Sequence, residues 1–167
     1  MPTYADPVIQ KYIDLIKANT GVFAVFYQGE PIRIPASHLP CCIISKRETL
    51  AAPHTNAEDV HSIGITLTVI TDLRKELSTE SSAASAVAGI GKLYDIVEGR
   101  NADYTLKSSS ILAILRSNPV VDATYGLRTD LGTITRVDYG QTLRDRAQEE
   151  WSIEAQVQFV AHFTQNR

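Results

Sequence analysis

The sequence predicts one α+β domain over residues 1–167: an antiparallel or mixed β-sheet, with an N-terminal helix and one long central helix packed on one face. Three observations predict it. Residues 63–69 and 151–163 alternate apolar and polar side chains, the period of a strand with one wet face. Residues 6–19 and 80–98 repeat their apolar side chains at helical spacing. The strand-like segments come in runs with few helices between them.

Asp6 followed by Pro7 is a helix start. The carboxylate can cap free N–H groups, and proline stands where an N–H would go unused. Val8, Ile9, Tyr12, Ile13 and Ile16 form one face of this helix, and Gln10, Lys11, Asp14 and Lys17 the other. Asn19-Thr20-Gly21 ends it. VFAVFYQ, 22–28, is rich in β-branched and aromatic residues on both faces and predicts a covered strand, turned by Gly29-Glu30-Pro31. LPCCIISK, 39–46, predicts a second strand. RETLAAPHTNAEDV, 47–60, is polar, contains Pro53 and has no period. It is expected to be a long loop, mobile in a free subunit and ordered by a neighbour.

HSIGITLTVITDL, 61–73, predicts a third strand, with Ile63, Ile65, Leu67 and Val69 on its apolar face. Within 80–98, Ala83, Val87, Ile90, Tyr94 and Val97 form a stripe, with Leu93 beside it. At 1.5 Å per residue that helix would be about 28 Å long. Its small first-half residues would let it sit close to the sheet, and Gly99 stops it. LKSSSILAILRSNP, 106–119, suggests a short helix ended by Asn118-Pro119. Residues 120–141 read as two strands around a glycine-rich turn from Gly126 to Gly132, and 142–150 as a polar link.

The last segment puts Trp151, Ile153, Ala155, Val157, Phe159, Ala161 and Phe163 on one side and Ser152, Glu154, Gln156, Gln158, Val160 and His162 on the other. At 3.3 Å per residue it spans about 45 Å, as long as a compact domain of this size is wide, roughly 40 Å. Ile153, Val157 and Phe159 are expected to face the central helix, against Ile65, Leu67, Val87 and Ile90.

The chain has 167 residues, 44% apolar and 21% charged, which excludes a disordered class and allows a real core. Its net charge of -3 argues against a dedicated nucleic-acid binder. Cys41 and Cys42 are adjacent, so on a strand they point to opposite faces, as two buried thiols in a reducing compartment. The first ten residues hold no basic segment followed by an apolar run, and no apolar stretch approaches the roughly 20 residues of a membrane helix. A cytosol-like compartment is the expectation.

The chemistry-bearing patterns fail one by one. GIGK at 89–92 lacks the first glycine and the Ser or Thr of a phosphate loop, since Ala86 and Leu93 stand there. The histidines, His38, His54, His61 and His162, include no pair at metal-binding helical spacing. His54, Glu58, Asp59 and His61 are the best polar centre for an alternative reading, a small enzyme or ligand-binding domain with a site built from scattered residues. No catalytic, cofactor or metal residue is assigned, and no cofactor is expected. Arg128, Arg136, Arg144 and Arg146 are offset by Asp122, Asp130, Asp138, Asp145, Glu149 and Glu150, which suits contacts between protein surfaces better than phosphate binding. Arg128, Arg136, Arg144, Glu154, Gln156 and Gln158 are therefore the candidate subunit-interface residues.

The layout resembles a known family. An N-terminal amphipathic helix leads into strands, HSIGITLTVITD precedes an Ala-rich helix, SSSILAILRSNP follows, and WSIEAQVQFVAHFTQ ends the chain. This pattern resembles the tail terminator and tail-completion (neck) proteins of long-tailed bacteriophages. The resemblance covers most of the chain as an order of elements; the family has no signature residues to carry over. It implies a virion structural protein without an active site: a subunit of a homo-hexameric ring that caps the tail tube and joins the tail to the head. The implied partners are other copies of itself, the tail tube protein, and a head-tail connector or head-completion protein. Genomic DNA would pass the lumen without sequence-specific binding. The implied location is the neck of the virion, after assembly in the host cytoplasm. Another subunit of the same particle, such as a head-completion protein, would share these features.

Overall fold

The computed structural model describes residues 5–55, 57–72, 82–144 and 150–166; for 82–89, 141–144, 150, 151 and 166 it describes the backbone alone. The architecture is α+β: among the described residues, one seven-stranded mixed sheet with three helices. The strands are β1 (Val25–Gln28), β2 (Cys41–Pro53), β3 (Glu58–Asp72), β4 (Val120–Asp122), β5 (Leu127–Asp130), β6 (Val137–Arg144) and β7 (Glu150–Asn166); their order is β1-β2-β3-β7-β5-β4, and β6 also pairs with β7.

Helix α1, Pro7–Asn19, starts as its sequence demands. The Asp6 carboxylate accepts hydrogen bonds from the N–H groups of Val8 (3.0 Å) and Ile9 (3.2 Å) and forms an ion pair with Lys46. Partial burial pushes the Asp6 pKa up, but the Lys46 ammonium and the two helix N–H groups outweigh it and hold the carboxyl below its ordinary value. Ile9, Tyr12, Ile13 and Ile16 are the buried stripe.

Strand β1, Val25–Gln28, runs parallel to β2, Cys41–Pro53, from Val25↔Cys41 to Gln28↔Ile44. A hairpin cannot make a parallel pair, so residues 29–40 carry the chain back, through a 3₁₀ turn at Ala36–His38 and a cis Leu39–Pro40 bond. All other pairings are antiparallel.

The segment 47–60 is not a long loop. Strand β2 continues to Pro53 and β3 begins at Glu58, paired from Glu48↔Gly64 to Pro53↔Asp59. The N–H groups of His54 and Thr55 both bond the Glu58 carbonyl and close the turn. Sequence pattern missed this hairpin because residues 47–53 are exposed on both faces, so no alternation marks them. Pro53 is tolerated because it stands last in the strand, on the sheet's edge.

The region 120–141 also differs from its reading. The supposed turn from Gly126 to Gly132 contains a strand: β4, Val120–Asp122, turns at Gly126 (φ +64°) into β5, Leu127–Asp130. Then β6, Val137–Arg144, follows, so the region holds three strands instead of two. Strands β6 and β5 share one side of β7, Glu150–Asn166, end to end: β6 pairs with 150–157 and β5 with 160–162. Residues 142–144 and 150 of the predicted polar link belong to strand ends, and the rest, 145–149, lie outside the described residues.

The core lies on one side of the sheet, the helix face. Cys42 and Ile44 of β2, Ile65 and Leu67 of β3, and Ala155, Val157 and Phe159 of β7 meet α1, α2 (Ser82–Glu98) and α3 (Ile111–Ser117) there. Ile153 lines a shallow depression with Ile90 and Leu93 of α2, as expected. Phe159 instead packs on Tyr12, so the helix above it is α1. The side chain of Val87 lies outside the described ones. On the far face, Ile34, Cys41, Ile43 and Ile70 form a second small core beneath residues 29–40. The adjacent cysteines are reduced thiols buried on opposite faces, and burial drives the Cys42 thiol pKa up.

Candidate functional site

The even-numbered residues of β7 do not form an open wet face. Ser152 is buried, and Glu154, Gln156 and Gln158 are half-buried. Strand pairing places each in a row across the far face. Gln156 sits between Thr68 and Asp138, Gln158 beside Thr66, and Glu154 between Ile70 and Gly140.

One arginine that sequence reasoning missed organises this face. Arg47 lies at a bulge between Lys46 and Glu48, and its guanidinium donates to Gln158 Oε1 at 2.6 Å. It crosses Gly64, where an added Cβ would come within 3.2 Å of the guanidinium and 3.1 Å of Glu48 Cγ. Glycine is thus the residue that leaves room for the crossing. Beyond Gln158 lies a depression of about 390 Å³, lined by Arg47, Arg136, Asp138, Gln158 and the threonines 133 and 135. Arg136 donates from Nε to Asp138 at 2.5 Å. Thr133 Oγ1 accepts from the Val160 N–H at 2.8 Å, in the gap between β5 and β6.

The structure therefore brings Gln158 and Arg136 of the predicted interface set to one depression, with Gln156 and Glu154 in the next rows. Arg128 is elsewhere. It is exposed and faces His162 across the β5–β7 ladder. Arg144 pairs through its backbone with Glu150, and its side chain is not among the described ones. Two charges of the region are satisfied within the chain: Asp122 by Lys11 at 2.8 Å, and Arg136 by Asp138. The hydrogen bond from Lys11 holds Asp122 below the ordinary carboxylate range, and the same contact raises Lys11.

The polar centre of the alternative reading does not assemble. Alternation along β3 sends Asp59 and His61 to the helix face and Glu58 to the far face. His61 stacks on Phe163, ring centroids 4.8 Å apart. Among the described residues, no three His, Cys, Asp or Glu side chains converge on a point where a metal ion would sit. A different set does line up: His162 Nδ1 is 2.9 Å from Ser62 Oγ, and His162 Nε2 is 3.5 Å from Asp130. Ser62, however, sits in a strand paired on both sides. Those ladders occupy the backbone N–H groups that an oxyanion would need. The row orients His162 and does not build a nucleophile's site.

No family model matches the chain, and no curated protein matches it. No helix among the described residues is long and apolar enough to cross a membrane.

Proposed function

We propose that this chain is a ring-forming structural subunit of a bacteriophage neck: a tail terminator that caps the tail tube and joins it to the head connector or a head-completion protein. Six copies form the ring, other copies are its first partners, and DNA passes the lumen without sequence readout. The work is geometric and needs no active site. The virion neck is its place, reached by assembly in the host cytoplasm.

The observation that supports this reading best is the far face. It presents one half-buried carboxylate and two half-buried amides, Glu154, Gln156 and Gln158, flanked by Arg47 and Arg136. Such a mixed, mostly uncharged surface suits contact between protein subunits, where charges of both signs set register and apolar area supplies affinity. The order of sequence elements that resembles the terminator family supports it independently.

The test is native mass spectrometry and electron microscopy of the purified protein, alone and with tail tubes. Rings near six times 18.4 kDa, or rings that appear only on tubes, are expected. A monomer that ignores tubes overturns the proposal. Reversing Arg136 and Arg144 to Glu together should slow or misdirect assembly at low salt while circular dichroism stays unchanged. Wild-type assembly at both low and high salt would remove these arginines from the interface.

A further inference from the structure

We propose that subunits join edge to edge, the outer edge of β2 beyond Ser45 pairing with the outer edge of β6 in the next copy, so that the sheet continues around the assembly. The inference rests on the ring reading above and adds to it the identity of the two surfaces that meet.

A closed ring needs two different, complementary surfaces on each subunit. Strand edges are the strongest such surfaces a sheet can offer, because each presents a row of unpaired N–H and C=O groups. Strand β1 covers β2 only as far as Ile44. From there to Pro53, β2 pairs with β3 on one side and with no described strand on the other. Strand β6, 8 residues long, pairs with β7 on one side and likewise with no described strand on the other. The other two outer strands are shorter, β1 with 4 residues and β4 with 3.

The two long edges also match in pattern. Each has an uncharged middle, Thr49 to Ala52 on β2 and Tyr139 to Thr142 on β6. Charges flank these middles: Arg47 and Glu48 on β2, and Arg136, just before β6, with Asp138 and Arg144 on β6. The middles can therefore lie together without burying a charge. Leu50 is 63% exposed on the far face of β2. Gly140 is exposed on the far face of β6, and a Cβ built there would touch only the Glu154 side chain, at an ordinary 3.9 Å. An exposed leucine on one edge thus meets a position without a side chain on the other. Natural edges of this length are usually broken by a mid-strand charge or proline. Here the bulge at Arg47 and Pro53 bound the bare stretch instead of interrupting it.

The test is paired cysteines under mild oxidation, at the concentration and with the tubes that give wild-type rings. Thr49→Cys and Gln141→Cys in one chain, opposite each other in the antiparallel register that sets Leu50 against Gly140, should give a ladder of cross-linked multimers ending at the ring, and either substitution alone none. The native thiols stay silent because both are buried. Leu50→Lys should raise the concentration needed for assembly at least tenfold with unchanged circular dichroism. Dimers from Thr49→Cys alone would mean β2 pairs with its own copy about a two-fold axis, which overturns the inference. Rings that form normally with Leu50→Lys and never cross-link, at 49 with 141 or, two residues along, at 51 with 141, overturn it while leaving the ring reading intact. A wild-type protein that stays monomeric on tubes removes the ring reading itself, and this inference falls with it.

Discussion

The ring of Tyr12 lies 5.1 Å from that of Phe159, tilted by 55°, and the Tyr12 hydroxyl shares a 2.8 Å hydrogen bond with Thr129 Oγ1. Helix α1, the last strand and β5 meet at this one contact. It fixes how the helix lies across the sheet, and so which strand residues face the core.

Phe159 is 1% exposed. Phe159→Ala should cost about 3–5 kcal/mol, the range for a fully buried aromatic whose site cannot collapse. Urea denaturation measures it, read at unchanged slope. A loss under about 1 kcal/mol would mean that β7 turns its other face to the core.

The Tyr12 hydroxyl is the partner of a threonine that is itself buried. Tyr12→Phe should cost about 1–3 kcal/mol, because Thr129 Oγ1 is left unsatisfied. Adding Thr129→Val should recover part of that loss, since an apolar pair of similar shape strands no polar atom. Additive losses in the double variant would show that the hydroxyls do not depend on each other. Burial also pushes the Tyr12 pKa up to about 12, so the phenol should titrate later than an exposed tyrosine.

Periodicity was informative where one face is buried and silent where both faces are wet. Helix α1 and the alternating parts of β3 and β7 were legible because their apolar residues must meet one core. Residues 47–53 were not, because an exposed edge strand places no demand on its side chains. The parallel pairing of β1 was also hidden, since a covered strand reads the same in either direction. Gln158 could be singled out as an uncharged residue on the strand's polar side. Arg47, its partner, could not, because it acts from a bulge, 111 positions away in sequence.

Gly64 sits beneath the Arg47 side chain with Cβ space of only 3.1–3.2 Å to flexible side-chain atoms. Gly64→Ala should fold, since those atoms can give way. It should still displace the guanidinium and weaken its bond to Gln158. A double-mutant cycle of Gly64→Ala with Gln158→Ala, read by denaturation, should show the two substitutions coupled. Independent effects would mean that Arg47 reaches Gln158 without the room that glycine provides.

The Lys11–Asp122 pair fastens α1 to β4, and its pH dependence follows from the direction of each shift. The Asp122 side chain is 8% exposed and accepts from the Lys11 ammonium at 2.8 Å. That bond favours the charged carboxylate, so the folded pKa lies below the ordinary 3.8. A carboxyl depressed in the folded state binds fewer protons there than in the unfolded chain. Its contribution is therefore fully present above the unfolded value, about 3.9, and is lost as pH falls through the folded one. Lys11 is raised above 10.5, so its share holds at neutral pH and fades only as pH rises through that raised value. The Thr124 N–H also bonds Asp122, at 2.9 Å, so asparagine keeps an acceptor for it while removing the charge. Asp122→Asn should be less stable than wild type at pH 7, and the gap should close as both are acidified below about pH 4. Denaturation midpoints of the two proteins from pH 7 to pH 2.5 measure this. A gap that stays constant across that range would show that the contact acts through packing and not through its charge.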